Sequence, residues 1–236
     1  MTEPRVSVII PAWNASAHIE RALASVHAQA VVPPPQVIVV DDASTDDTVA
    51  RVRRADPDAT ILRHERNLGP AAARNRGLTA ASAEFIAFLD ADDLWPTGKL
   101  TMQLSILAGE PAVDIVTGRT RWFRDESELA AEDPHGQASR DIRNFGNTLI
   151  RRRAFTQVGL LDERLRYSED QDWFLRADEA GLVVHRIPQI TLYYRMHAGN
   201  MTRGMDAVAL GIPRTLHRAI QRRRRAAARH KTDGES

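Results

Sequence analysis

The chain has 236 residues, 43% of them hydrophobic and 27% charged, with a formal net charge of +1. At about 150 residues per domain this predicts one large domain, or a domain with an extension, able to bury a core without covalent staples. The composition excludes a disordered or fibrous chain, and the absence of cysteine excludes disulfides, thiolate nucleophiles and cysteine-based zinc sites.

The charge is unevenly spread. Residues 214–236 hold eight basic and two acidic side chains, a net of +6, which leaves −5 for the rest. The basic excess sits in one helix-like segment, so the charge balance does not point to nucleic acid. No apolar run approaches the roughly 18 residues of a membrane-spanning helix. The polar start, Met1–Arg5, leads into an apolar run of only five residues, Val6–Ile10. That is too short for a secretion-signal core, and a cytoplasmic protein is expected.

The first half alternates. Val6–Ile10 reads as a strand, and Ala17–Gln29 as a helix with Ile19, Ala22, Leu23 and Val26 on one face. Val37–Val40 is a second buried strand. Ser44 to Asp47 resemble the capped start of a helix reaching about Ala55. Thr60–His64 is a weaker strand, Ala71–Ala81 a helix and Phe85–Leu89 a fourth strand. This order predicts βαβ units and a largely parallel sheet. The second half is less regular. Leu100–Leu107 reads as helix, Asp114–Arg124 as one or two strands and the polar Asp125–Arg140 as a loop. Asn147–Arg151, Val183–Ile187 and Ile190–Tyr194 read as strands, Asp172–Ala180 as a helix, and Arg214–Lys231 as a basic helix with disorder from Thr232.

Ligands of open parallel sheets bind beyond the carboxyl ends of the strands. Three strands end here in Pro11-Ala12-Trp13-Asn14, Asp41-Asp42 and Asp90-Ala91-Asp92-Asp93. The sheet should gather up to five carboxylates on one edge. A hard divalent cation, Mg²⁺ or Mn²⁺, would neutralise them and bind diphosphate oxygens. The plainer alternative is that these aspartates cap helices and turns. No G-x-G-x-x-G follows the first strand, and neither a P-loop nor a G-x-S-x-G elbow occurs.

Val6–Asn14, Val37–Thr48, Asn67–Gly77, Phe88–Asp93, Val158–Glu163, Ser168–Arg176 and Tyr194–Thr202 follow one another in order over residues 5–202. Together they resemble the successive motifs of family 2 glycosyltransferases. The resemblance implies the GT-A fold, an α/β architecture with a mixed, mainly parallel sheet flanked by helices. It implies a domain over residues 1–205, with a nucleotide-binding half to about 110 and an acceptor-binding half from about 111. Residues 206–236 would be a basic helix and tail.

The resemblance also implies roles. Asp42 would hydrogen-bond the base of a uridine nucleotide, with Pro11, Ala12 and Trp13 beside it. Trp13 stands where tyrosine is more usual; its indole would stack, or it is a plain core aromatic. Arg74 would support the base and nearby carboxylates, or form a structural ion pair. Asp90 would face the ribose, and Asp92 would hold a Mn²⁺ or Mg²⁺ ion bridging the diphosphate. Asp93 would lie behind these or cap the next helix. Asp170 would be the catalytic base of an inverting transfer, its alternative being a helix N-cap. Glu169 and Asp172 flank it. Trp173 would line the sugar or acceptor pocket, or pack in the core. His197 would contact the metal or the diphosphate.

The implied activity is transfer of a single sugar from a UDP-sugar to an unspecified acceptor. The processive members' Q-x-x-R-W motif is missing, since Gln221 is followed by arginines. A non-catalytic sugar-nucleotide or glycan binder of the same fold is the main alternative. A nucleotidyltransferase is disfavoured, because no Gly-rich basic loop follows the first strand. The basic helix would rest on an anionic membrane, dock an acidic partner, or only aid solubility.

Overall fold

The computed structural model describes residues 5–130, 139–201 and 203–233. The first half contains β1 (Val6–Ala12), α1 (Ile19–His27), β2 (Gln36–Asp41), α2 (Thr48–Ala55), β3 (Thr60–Arg63), α3 (Pro70–Ala80) and β4 (Phe85–Phe88). Strand β1 lies between β2 and β4 and is parallel to both, pairing Ile10 with Val39 and Ile9 with Phe88. β3 extends the parallel set beyond β2. The three central strands are buried on both faces, which is why they read as continuous apolar runs. Parallel pairing brings the carboxyl ends of β1, β2 and β4 to one edge.

Helix α3 packs close to β1 because residue 77 is glycine. A Cβ there would stand 2.3 Å from Ile9 Cγ2. That approach buries Arg74 and Asn75, polar residues in mid-helix, beneath the sheet edge.

The second half adds α4 (Lys99–Gly109), β5 (Ile115–Phe123), the short β6 (Ser139–Arg140), β7 (Thr148–Arg151), α5 (Arg152–Val158), α6 (Glu169–Glu179), β8 (Val184–Arg195) and α7 (Ile212–Asp233). The sheet order is β3-β2-β1-β4-β7-β5-β6, with β8 also on β5. β7 is antiparallel to β4 and β5, and β8 is parallel to β5.

Several expectations change here. The two strands expected around Pro188 are one strand, β8, whose register against β5 shifts between Thr117 and Thr120. That irregularity accommodates a proline with no N–H to donate. Helix α5 was not expected; it follows β7 without a break and buries only Ala154 and Phe155, too few to show a period. The expected loop 125–140 contains a 3-10 turn at Glu126–Ala130 and strand β6, and its residues 131–138 lie outside the described residues. Helix α7 continues through Asp233, past Thr232 where disorder was expected, and residues 234–236 lie outside the described residues.

Trp173 belongs to the core. It is fully buried among Phe145, Phe155 and Phe174, and its indole N–H donates to the Gly159 carbonyl at 2.9 Å. A pocket-lining role is therefore excluded. With Trp173 and Phe174 anchored, the N-terminus of α6 is held against the sheet edge.

Candidate active site at the carboxyl edge of the sheet

The β1 and β2 ends form one side of the site. Trp13 is 53% exposed, so it is not a core aromatic, and its ring face is free to stack. Pro11 is partly buried and Ala12 buried; the Ala12 carbonyl accepts the Asp42 N–H at 2.8 Å. Asn14 links the two loops by accepting the Thr45 N–H while its own N–H donates to Ser44 Oγ.

The five strand-end aspartates do not form one cluster. Asp41 is fully buried, accepts the Ser44 N–H and pairs with Arg63 at 3.0 Å. Asp42 Oδ1 accepts from His64 Nδ1 at 2.7 Å and from the Leu68 N–H at 2.8 Å, while Oδ2 accepts the Gly69 N–H at 2.7 Å. Gly69 has φ +92°, a conformation that favours glycine, and it precedes Pro70 at the start of α3. A carboxylate accepts about four hydrogen bonds. Three positions on Asp42 are filled from within the chain, leaving room for one further donor.

The β4 end is different. Arg74, buried in α3, reaches Asp90 Oδ1 at 2.6 Å with one guanidinium nitrogen and Glu169 Oε1 at 2.5 Å with the other. It thus joins the D-x-D segment to the start of α6. Burial alone would lower its pKa; Asp90, Glu169 and Asp170 outweigh that and raise it. Asp170 is mostly buried, and its Oδ1 accepts the N–H of Gln171 at 2.7 Å. Ser168, not Asp170, occupies the N-cap position of α6. Burial and then the neighbouring Glu169 push the Asp170 carboxyl up to about 7, against the opposing pull of Arg74. A carboxyl tuned to that range suits proton transfer at neutral pH.

Asp92 and Asp93 divide their tasks. Asp93 is buried and accepts the Arg195 N–H at 2.8 Å; burial, then Asp92 and Asp90, raise its pKa well above the carboxylate range. It therefore pins β8 to the D-x-D segment. Asp92 Oδ2 lies 2.9 Å from His197 Nε2. The Gly199 N–H donates to His197 Nδ1 at 3.0 Å, which leaves the ring proton on Nε2, directed at Asp92. His18 packs against His197 with ring centroids 4.8 Å apart and ring planes tilted by 44°.

The Asp92 side chain is partly exposed, a hard oxygen donor suited to Mg²⁺ or Mn²⁺. Among the described residues no group of three or more His, Asp or Glu side chains is assembled as a metal site. An ion here would need further oxygen ligands, from water or from a bound ligand, to complete its shell. His197 in its present tautomer orients Asp92. To ligate through Nε2 it would carry its proton on Nδ1 and give up the Gly199 contact.

Three contributors were given no role from the sequence. Glu169 is the buried partner of Arg74. His64 orders Asp42, and its place at the end of β3 was the available signal. Arg195 donates to the Asp92 carbonyl at 2.8 Å and to Glu126 at 2.9 Å, and lies over the Phe123 ring. Glu126 also pairs with Arg21.

The family model "Glycosyl transferase family 2" matches residues 7–162. The chain belongs to that family. It is 36% identical over 130 residues to the putative teichuronic acid biosynthesis glycosyltransferase TuaG of Bacillus subtilis, covering 54% of this chain and 51% of the relative. It is 40% identical over 108 residues to the Escherichia coli UDP-Glc:alpha-D-GlcNAc-diphosphoundecaprenol beta-1,3-glucosyltransferase WfgD, covering 45% and 42%. The chain thus spans about half the length of these curated relatives. Among solved structures it resembles Staphylococcus aureus TarS 1-349 in complex with UDP-GlcNAc, with a TM-score of 0.70 and 22% identity over 86% of this chain and 61% of TarS. It also resembles the mannosyltransferase PcManGT of Pyrobaculum calidifontis in complex with GDP-Man and Mn²⁺, with a TM-score of 0.67 and 24% identity over 84% and 59%. The fold is GT-A, a mixed sheet flanked by helices.

Proposed function

We propose that this chain transfers a single sugar from a UDP-sugar to a hydroxyl of a glycan-type acceptor, with inversion at the anomeric carbon. The observation that carries the reading is the buried Arg74, which ties the D-x-D aspartate Asp90 to the N-terminal turn of α6 that bears Asp170. Donor-binding and proton-accepting groups thus share one edge. Relatives named for teichuronic acid biosynthesis and for a UDP-Glc transferase support the acceptor and donor classes.

Trp13 stacks on the base, Pro11 and Ala12 flank it, and the remaining acceptor position of Asp42 takes a base N–H. Asp90 faces the ribose. Asp170 removes the proton from the acceptor hydroxyl as its oxygen bonds to the anomeric carbon. The C–O bond to the diphosphate breaks, and the nucleoside diphosphate leaves with the electron pair. A Mn²⁺ or Mg²⁺ ion held by Asp92, with His197 beside it, would neutralise charge on the leaving diphosphate. A Mn²⁺-bearing neighbour of the same fold supports this assignment.

The test is calorimetric binding of UDP, dTDP, GDP and NAD with and without Mn²⁺, in wild type, Asp92→Ala and Asp170→Asn. Mn²⁺-dependent UDP binding that is lost in Asp92→Ala and kept in Asp170→Asn is expected, with no turnover of UDP-sugar by Asp170→Asn. Binding of none of the four, or binding indifferent to metal and to Asp92, would overturn the reading in favour of a non-catalytic relative.

A further inference from the structure

Helix α7 lies outside the site just described, and its charge is one-sided. From Ile212 to Thr232 it has eight Arg or Lys residues and no Asp or Glu. Part of that charge is used within the protein. Arg218 pairs with Asp162, Arg222 with Asp172 and Glu179, and Arg223 approaches Glu179. These contacts, with buried Thr215 and Ala219, fasten α7 to α6 and to the segment between α5 and α6.

The outward side makes no ion pair among the described residues. Leu216 and Ile220 are 47% and 49% exposed, and with Arg224 they form an i, i+4, i+8 row on one side of the helix. Arg214 and Arg224 are exposed and make no ion pair among the described residues. Met201 and Val208, in the segment leading to α7, are also exposed. On its other flank α7 closes an open cleft of about 640 Å³, where Asp162 and Asp172 lie among Arg164, Arg176, Arg218 and Arg222. No helix among the described residues is long and apolar enough to cross a membrane. Exposed apolar side chains in one row with the exposed Arg224, on a helix with no acidic residue before Asp233, suit a surface that is both apolar and anionic. A bilayer interface is such a surface, where leucine and isoleucine enter the acyl boundary and arginines meet lipid phosphates.

We infer that the outer face of α7 docks on an anionic lipid bilayer, so that the acceptor is a glycan carried on a lipid. The second part rests on the transferase reading above. The geometry couples the two. Ser168, next to Glu169 and Asp170, donates through Oγ to the Leu210 carbonyl at 2.8 Å, two residues before α7 begins. A bilayer under α7 is therefore close to the proton-accepting end of α6.

The test is co-sedimentation of the full chain with vesicles of phosphatidylcholine alone or with about one-third phosphatidylglycerol. Binding is expected only to the anionic vesicles and is expected to weaken at high salt. Arg214→Gln with Arg224→Gln should lower the partition coefficient by about fivefold per arginine. Leu216→Glu with Ile220→Glu should lower it by at least tenfold, and both exposed pairs should leave the thermal transition unchanged. Absence of binding to anionic vesicles would overturn the inference. So would binding indifferent to the Leu216 and Ile220 changes, or displacement from vesicles by a single-stranded RNA at equal charge concentration. UDP binding measured on the same samples separates this failure from failure of the transferase reading. With that reading intact, anionic vesicles should also raise turnover of a lipid-linked acceptor over its water-soluble, lipid-free analogue. An equal rate on both would sink the acceptor assignment.

Discussion

His197 directs its Nε2 hydrogen at Asp92 Oδ2 across 2.9 Å, joining segments 105 residues apart in the chain. The same junction is held from behind by Arg195, whose N–H and side chain hold Asp93 and the Asp92 carbonyl. A backbone bridge between Leu94 and Tyr193 fixes the two segments in register. The D-x-D aspartate is thus oriented by the end of β8, not by its own loop.

Replacing His197 should therefore weaken metal-dependent nucleotide binding without unfolding the protein. Loss of an orienting partner costs about 10–100-fold in metal affinity. His197→Ala is expected to show that loss in Mn²⁺ titrations with UDP present. His197→Gln, which keeps an N–H donor, should recover part of it. Equal loss in both variants would indicate that the ring nitrogen itself binds the ion.

Arg74→Met removes the cation that pairs with Asp90 and Glu169 and faces Asp170. Glu169 would be left buried without a counter-charge, a change that costs about 3–5 kcal/mol. A fall of about 10 °C in Tm is expected for a chain of this length. Arg74→Lys keeps the charge but cannot span both carboxylates, so an intermediate Tm is expected. A Tm unchanged in Arg74→Met would show that the ion pairs are solvent-screened.

Gly77→Ala tests the packing of α3 on β1. The added methyl would meet Ile9 Cγ2 at 2.3 Å, and Ile9 is fully buried. Overpacking of this kind costs about 1–3 kcal/mol. Ile9→Val does not remove the clashing Cγ2, but Ile9→Ala does. The double variant Gly77→Ala with Ile9→Ala should therefore lose less stability than the sum of the two single changes.

The parallel half was legible because β1, β2 and β4 are buried on both faces and carry unbroken apolar runs between helices of clear period. The strand-end aspartates could be placed on the shared edge for the same reason. What each carboxylate touches could not be read. Asp42 is satisfied by Leu68 and Gly69, and Arg74 by Glu169, through long-range contacts with no local pattern. Trp13 and Trp173 show the same limit, since both are aromatic positions beside motif residues. One is exposed at a strand end and the other fully buried on a helix. The single strand β8 was obscured by Pro188, whose local signal is a break that the irregular pairing with β5 overrides.

Burial, and then Glu169, push the Asp170 carboxyl from the ordinary 3.8 up to about 7. A base must be ionised, so kcat/KM should fall about tenfold per pH unit below pH 7 and level off above it. Stability should run the other way. Between about pH 4 and pH 7 the folded state holds a proton that the unfolded state has released, so this carboxyl's contribution is complete below pH 4 and is lost as pH rises through 7. Asp170→Asn removes that loss. At pH 8 the variant should be inactive yet more stable than the wild type, with the difference shrinking towards pH 4. Denaturant unfolding at the two pH values measures this directly. An activity limb near pH 4, or a stability gain independent of pH, would show that Asp170 is ionised throughout and is not tuned as a base.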